Sequence, residues 1–280
     1  MNITANTRPL GLLGYPVTHS KSPQILNEVC RILGIPATYM AYSVCPDHLK
    51  EAVNGMRVLN FIGFNVTIPH KVAIIPYLDE LDETAEEIGA VNTVLNKDGK
   101  LIGYNTDGVG YLRSLQEETA FSLKNKIVTI LGAGGAARAV SITLAKAGAA
   151  KVFIANRTQS KAEELANVLG TFTSASAVAL LQAHEKIAES HLLVNTTSIG
   201  MSPHTEVMPV PADYLHPKLL VSDLIYRPEE TKLLLSAKQI GARTHGGLGM
   251  LLHQAAVAVE HWFNETAPIL QMRAILENED

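Results

Sequence analysis

Residues 126 to 138 hold the most specific chemical arrangement in this 280-residue chain. An apolar run, Ile127 to Leu131, meets Gly132, Ala133, Gly134 and Gly135, then Ala136 and Ala137. Read as a strand, a glycine turn and a helix start, it gathers unpaired N–H groups and a helix dipole where a pyrophosphate can sit. The third glycine of the G-x-G-x-x-G pattern is replaced by Ala137, still small enough for helix–strand packing. A second apolar run, Lys151 to Ala155, falls where a βαβ unit places its next strand. It ends in Asn156-Arg157-Thr158, with Lys161 one turn on. An acid there would serve a ribose 2′-hydroxyl; a cation and a hydroxyl suit a 2′-phosphate. The chemistry indicated is hydride transfer with NADP. A hydride carrier also needs groups that manage a substrate hydroxyl proton. Polar residues concentrate earlier in the chain at Ser20-Lys21-Ser22, Asn65 to Lys71, Ala90 to Thr93 and Tyr104 to Gly108.

Alternating strand and helix patterns must position these groups. Leu10 to Gly14 is an apolar strand. Ser22 is a fair N-cap with Pro23 at the first helical position, and Ile25, Leu26, Val29, Ile32 and Leu33 recur at helical spacing until Gly34. Thr38 to Val44 reads as a strand, Asp47 to Met56 as a helix and Phe61 to Thr67 as a strand. A helix from Asp107 leads into Glu117 to Lys124, a polar stretch suited to a linker. Further βα units run through Val194 and Leu220 to Leu224, and Gly246 to Gly249 interrupt them before an apolar helix, Met250 to Phe263. Such alternation predicts a largely parallel sheet, with ligands beyond the carboxyl ends of the strands, where the polar clusters fall.

Composition narrows the function classes. A net charge of −4 with scattered cations offers no basic field for nucleic acid. No apolar run reaches the ~18 residues of a membrane span, and no secretory h-region is visible near Met1. Two cysteines, Cys30 and Cys45, form no disulfide framework and suit a reducing, cytoplasmic setting. Glu277 to Asp280 read as a solvated acidic tail. His70, His245, His253 and His261 lack metal-ligand spacing, so no metal is assigned.

In combination the motifs resemble those of the shikimate dehydrogenases, over nearly the whole chain. Ser20-Lys21-Ser22 matches that family's S-x-S, and Asn65 to Lys71 its N-V-T-x-P-x-K. Gly89 to Thr93 matches G-A-V-N-T, Gly103 to Gly108 matches G-x-N-T-D-G, and Asn195 to Met201 matches N-x-T-S-x-G-M. Asp223 to Pro228 and Gly247 to Gln254 complete the set. Singly, each has a plainer use as a cap, turn former or core-edge group; jointly they do not.

The resemblance implies an α/β fold of two domains. Residues 1–107 with 246–280 would form a largely parallel substrate domain, the C-terminal helix returning to it, and 108–245 a Rossmann-like NADP domain. It implies NADPH-dependent, reversible reduction of 3-dehydroshikimate to shikimate in aromatic amino acid biosynthesis, by a monomer or homodimer with no nucleic-acid or membrane partner. Lys71 and Asp107 would handle the proton. Ser20, Ser22, Thr67, Lys71, Asn92, Asp107, Tyr226 and Gln254 would hold substrate, with Asn65 supporting the pocket wall. Gly132, Ala133, Gly134, Gly135, Ala136, Asn156, Arg157, Thr158, Lys161, Leu224 and Gly247 would hold NADP, and Glu83 would reach it from the first domain. The alternatives are a sibling that oxidises quinate or uses NAD, and a non-catalytic dinucleotide-binding sensor of the same fold.

Overall fold

The computed structural model describes residues 3–277, so most of the acidic tail lies outside the described residues. The chain divides into two compact units, Met1–Thr106 with Leu252–Asp280, and Asp107–Leu251. In the first, β1 (Arg8–Gly14), α1 (Ser22–Ile32), β2 (Ala37–Ser43), α2 (Leu49–Val58) and β3 (Gly63–Val66) alternate as their periodicity requires. Next come α3 (His70–Ala73), β4 (Glu80–Leu81), α4 (Glu83–Ile88), β5 (Thr93–Lys97) and β6 (Lys100–Tyr104). The second holds α5 (Asp107–Thr119), β7 (Ile127–Leu131), α6 (Gly135–Lys146), β8 (Lys151–Asn156), α7 (Gln159–Leu169), β9 (Ser174–Ala179) and α8 (His184–Ala188). It continues with β10 (Leu192–Asn195), β11 (Leu220–Asp223), α9 (Lys232–Gln239) and β12 (Arg243–His245). The chain re-enters the first unit within α10 (Leu248–Phe263) and closes on α11 (Ile269–Glu277).

The first sheet has the order β2-β1-β3-β5-β6-β4. β2, β1 and β3 run parallel, whereas β5 pairs antiparallel with β3 and with β6. The turn of the β5–β6 hairpin is Asp98-Gly99, both at positive φ, a local signal for two-residue hairpins. Leu13, Val53, Phe64, Ile74, Val94 and Leu101 form the core on one face. On α10, Trp262 donates its indole N–H to Val94 O at 2.9 Å, and a Cβ on Gly63 would lie 2.2 Å from that nitrogen. Gly63 is there because the indole occupies the space. Cys30 is buried in α1, and burial pushes its thiol up to about 11, which leaves it a core residue.

The second sheet is parallel throughout, with the order β12-β11-β10-β7-β8-β9. Its central strands are buried on both faces, so β7 and β10 read as continuous apolar runs. The polar stretch 117–124, read as a linker, does not separate the two units. α5 continues to Thr119, and both it and the stretch up to β7 lie inside the second unit. In sequence the two units divide between Thr106 and Asp107. Among the described residues no helix is long and apolar enough to cross a membrane.

Candidate active site

In the first unit the predicted substrate residues sit on loops tied edge to edge by backbone bonds. Thr67 donates its N–H to Leu13 O, Val66 to Asn92 O and Val91 to Lys71 O, each at 2.8 Å. The segments carrying Thr67, Lys71 and Asn92 are thereby held side by side. Lys71 is half-buried in α3, and the preceding His70 anchors that short helix through a 2.8 Å bond between its ring and Val44 O. A buried network backs the site. The Tyr39 hydroxyl donates to Asn65 Oδ1 at 2.8 Å and also bonds the Ser22 side chain. Asn65 Nδ2 donates to Thr93 Oγ1 (3.0 Å), and Thr93 Oγ1 to Asn92 Oδ1 (3.1 Å). Asn92 Oδ1 also accepts the Thr106 N–H at 2.8 Å. Burial holds the Tyr39 phenol well above its ordinary range, so it stays a donor.

Ser22 is not the N-cap expected of it. The helix begins at Ser22 itself, and the Ser20 hydroxyl accepts the Ser22 N–H at 3.2 Å. Gln254 is half-buried on α10 in the first unit. Asp107, buried at the start of α5, and Tyr226, past β11, belong to the second unit, so the predicted substrate set is divided. Glu83 is exposed in the first turn of α4, behind the Asp82 cap, a place where an acid complements the helix dipole.

The second unit assembles the glycine loop at the carboxyl ends of its strands. Gly132 has φ +112°, and a Cβ there would fall 2.6 Å from Thr196 Oγ1. Gly134 and Gly135 have nothing within 4 Å of a Cβ position, so no protein neighbour demands their bareness. The space they leave lies at the N-terminus of α6, a 12-residue helix, where N–H groups and dipole favour a phosphate. A hollow of about 280 Å³ opens beside it, lined in part by Gly132, Asn156, Arg157, Thr197 and Ser198. Asn156 donates to Thr158 O at 2.9 Å, closing a turn that leaves Arg157 exposed on the rim. Lys161 lines an adjoining hollow with Ala133, Arg138 and Glu164. No acid stands at the end of β8. These groups fit a dinucleotide carrying a 2′-phosphate. Gly247 is compelled by the Leu224 carbonyl, only 2.2 Å from a Cβ position.

Three family models match in chain order. "Shikimate dehydrogenase substrate binding domain" spans 12–94, "Shikimate / quinate 5-dehydrogenase" 114–207, and "Shikimate 5'-dehydrogenase C-terminal domain" 247–277. The chain belongs to the shikimate dehydrogenase family. Among its relatives, a shikimate dehydrogenase (NADP(+)) of Geobacillus kaustophilus is 46% identical over 95% of this chain and 96% of its own. The Listeria monocytogenes shikimate 5-dehydrogenase, solved with shikimate and NAD, is 40% identical with a TM-score of 0.93, covering 99% of this chain and 98% of that one. The Thermus thermophilus enzyme, solved with NADP(H) and shikimate, is 35% identical with a TM-score of 0.88, covering 97% and 99%.

Within this family fold, several lining residues escaped the sequence reading. Leu180 and Pro209 join the larger hollow only through the tertiary fold and left no local signal. Thr197 and Ser198 were legible as part of Asn195 to Met201, and the structure supplies their anchor. Asn195 Oδ1 accepts Thr197 Oγ1 at 2.7 Å, while its amide donates to Asp223 Oδ1 at 3.0 Å. Arg138 also went unassigned; it reaches the hollow of Lys161 and lies 3.7 Å from Glu164.

Proposed function

We propose that this chain catalyses the reversible, NADPH-dependent reduction of 3-dehydroshikimate to shikimate, using the site residues assigned above. The observation that carries the cofactor choice is Arg157, exposed on the rim of the hollow beside Gly132 at a strand end with no acid. Near-full-length relatives named as NADP-dependent shikimate dehydrogenases support the substrate. Bound NADPH supplies the hydride. The ketone carbon gains that hydride and its oxygen gains a proton, which yields the secondary alcohol. Lys71 is the group positioned to hold that oxygen and deliver the proton, its ammonium being a donor without acceptor capacity. Asp107 accepts from the same hydroxyl in the reverse direction, a carboxylate being an acceptor only. Ser20, Ser22 and Tyr226 offer hydroxyls to the substrate carboxylate. Thr67, Asn92 and Gln254 face its ring hydroxyls, and an analogue lacking one would leave polar groups unpaired. Both cysteines are free, which accords with a reducing cytoplasmic setting.

The test is absorbance at 340 nm with shikimate or quinate and NADP or NAD, added in turn. Shikimate with NADP should give the highest kcat/KM. Lys71→Ala should lower kcat by about 10²–10⁴-fold with a much smaller change in shikimate affinity. Normal turnover in a folded Lys71→Ala enzyme would remove Lys71 from the mechanism, and inactivity of the parent with all four pairs would favour a non-catalytic sensor.

A further inference from the structure

One group of buried polar side chains in the second unit has no part in the reaction described. His245, at the end of β12, is fully buried, and both ring nitrogens are engaged. Its Nε2 lies 2.8 Å from Ser114 Oγ on α5, and its Nδ1 lies 2.8 Å from Ser222 Oγ on β11. Glu118 Oε2, also on α5, is 3.6 Å from Nε2, and the Tyr111 ring packs edge-on at 5.7 Å. Both serines are wholly buried, so neither hydroxyl has water as an alternative partner.

Each element of this group carries, or leads directly to, a second-unit residue assigned to the site. Ser114 lies seven residues after Asp107 on the same helix, roughly 10 Å along its axis. Ser222 precedes Leu224 by two residues and Tyr226 by four, and His245 precedes Gly247 by two. Two close approaches reinforce the assembly. A Cβ on Gly108 would fall 2.0 Å from Thr143 Oγ1 of α6, and one on Gly249 would fall 2.1 Å from Ser114 Oγ. Apolar contact is non-directional and tolerates small shifts of a helix along its neighbour. Hydrogen bonds with narrow distance and angle requirements do not.

We infer that His245 is a positioning residue, which sets α5 and therefore Asp107 in register with the strand ends carrying Leu224, Tyr226 and Gly247. The inference rests on the roles given to those residues under the proposed function. A catalytic group must be held within about 0.5 Å of its productive place, and a displacement near 1 Å can cost about 10²-fold in rate. His245 acts through the helix and touches no substrate.

Two variants test this. Ser114→Ala deletes one hydroxyl from the α5 side, and His245→Gln keeps an amide that cannot span both serines. Each should lower kcat, corrected for active-site concentration, by about ten-fold or more. KM for shikimate and for NADP should stay within about two-fold of the parent. The isotope effect on kcat with NADPH deuterated at the transferred position should rise as hydride transfer becomes slower. Normal turnover with only a lower Tm would overturn the inference, as would losses carried equally by KM. Asp107→Asn separates the two levels. If it is inactive while both variants turn over normally, positioning alone fails; if it is fully active, the role of Asp107 fails first.

Discussion

Arg157 shows how a single side chain can decide a cofactor. It stands exposed on a turn that Asn156 closes with its own amide, so little of its contribution to the fold would be lost by truncation. Arg157→Ala should remove a charge-assisted contact to the 2′-phosphate worth about 1.5–3 kcal/mol. NADP binding should weaken by about one to two decades while NAD binding barely changes. KM and turnover with both cofactors at saturating shikimate measure this, and equal losses with both would assign Arg157 to the fold. Adding Asn156→Asp should narrow the preference further, because a carboxylate repels the phosphate. The same change removes the N–H that Thr158 O accepts, so the double variant should also unfold at lower temperature. At this scale the residue types were legible without the structure: a cation and a hydroxyl where an acid would serve NAD. What the structure adds is that Asn156 is spent on the turn, which neither its type nor its spacing reveals.

Elements meet at Asp223, the last residue of β11. Its carboxylate accepts from Asn195 Nδ2 at the end of β10, from the Ile225 N–H at 3.1 Å and from Thr231 Oγ1, the cap of α9, at 2.8 Å. Burial raises its pKa above the ordinary 3.8, opposed by those three hydrogen bonds. The consequence for stability has a definite sign. Below 3.8 the group is protonated in folded and unfolded chains alike, and no cost arises. As pH rises through the raised folded value, the folded form holds its proton longer, and stability falls relative to a residue that cannot titrate. Asp223→Asn keeps the shape and most acceptor geometry. Its urea midpoint relative to the parent should therefore climb as pH rises from 3.8 through the raised folded-state value and then level off. A constant offset over that range would mean the carboxylate is not held against ionisation. Strand and helix periodicity predicted β10, β11 and the βα alternation. The clamp between strand ends depends on which strands become neighbours, and the two residues lie 28 apart in sequence.

At the scale of the molecule, the second unit is one continuous segment, Asp107–Leu251, whereas the first is completed by Leu252 onward. Trp262 fills the space above Gly63 and bonds Val94 O, so the first sheet lacks part of its core without α10. A fragment of residues 107–251 should unfold cooperatively by circular dichroism. One of residues 1–106 should stay largely unfolded until a peptide of residues 252–280 is added; cooperative unfolding of 1–106 alone would show that α10 and α11 are dispensable. By itself the sequence determined the fold class, the two glycine-loop strands and the family, because these rest on residue types at short, fixed spacings. It also nominated the side chains to which the chemistry is assigned. The tertiary structure decided the antiparallel pairing of β5 with β3 within the first sheet, the inclusion of the polar stretch after α5 in the second unit, and the start of α1 at Ser22 itself. It alone decided that Ser114, Ser222 and His245 share one buried hydrogen-bonded group. Local periodicity reports which face of an element is apolar, but buried polar partners are chosen by topology, and the burial that makes their pairing obligatory exists only once the sheet has formed.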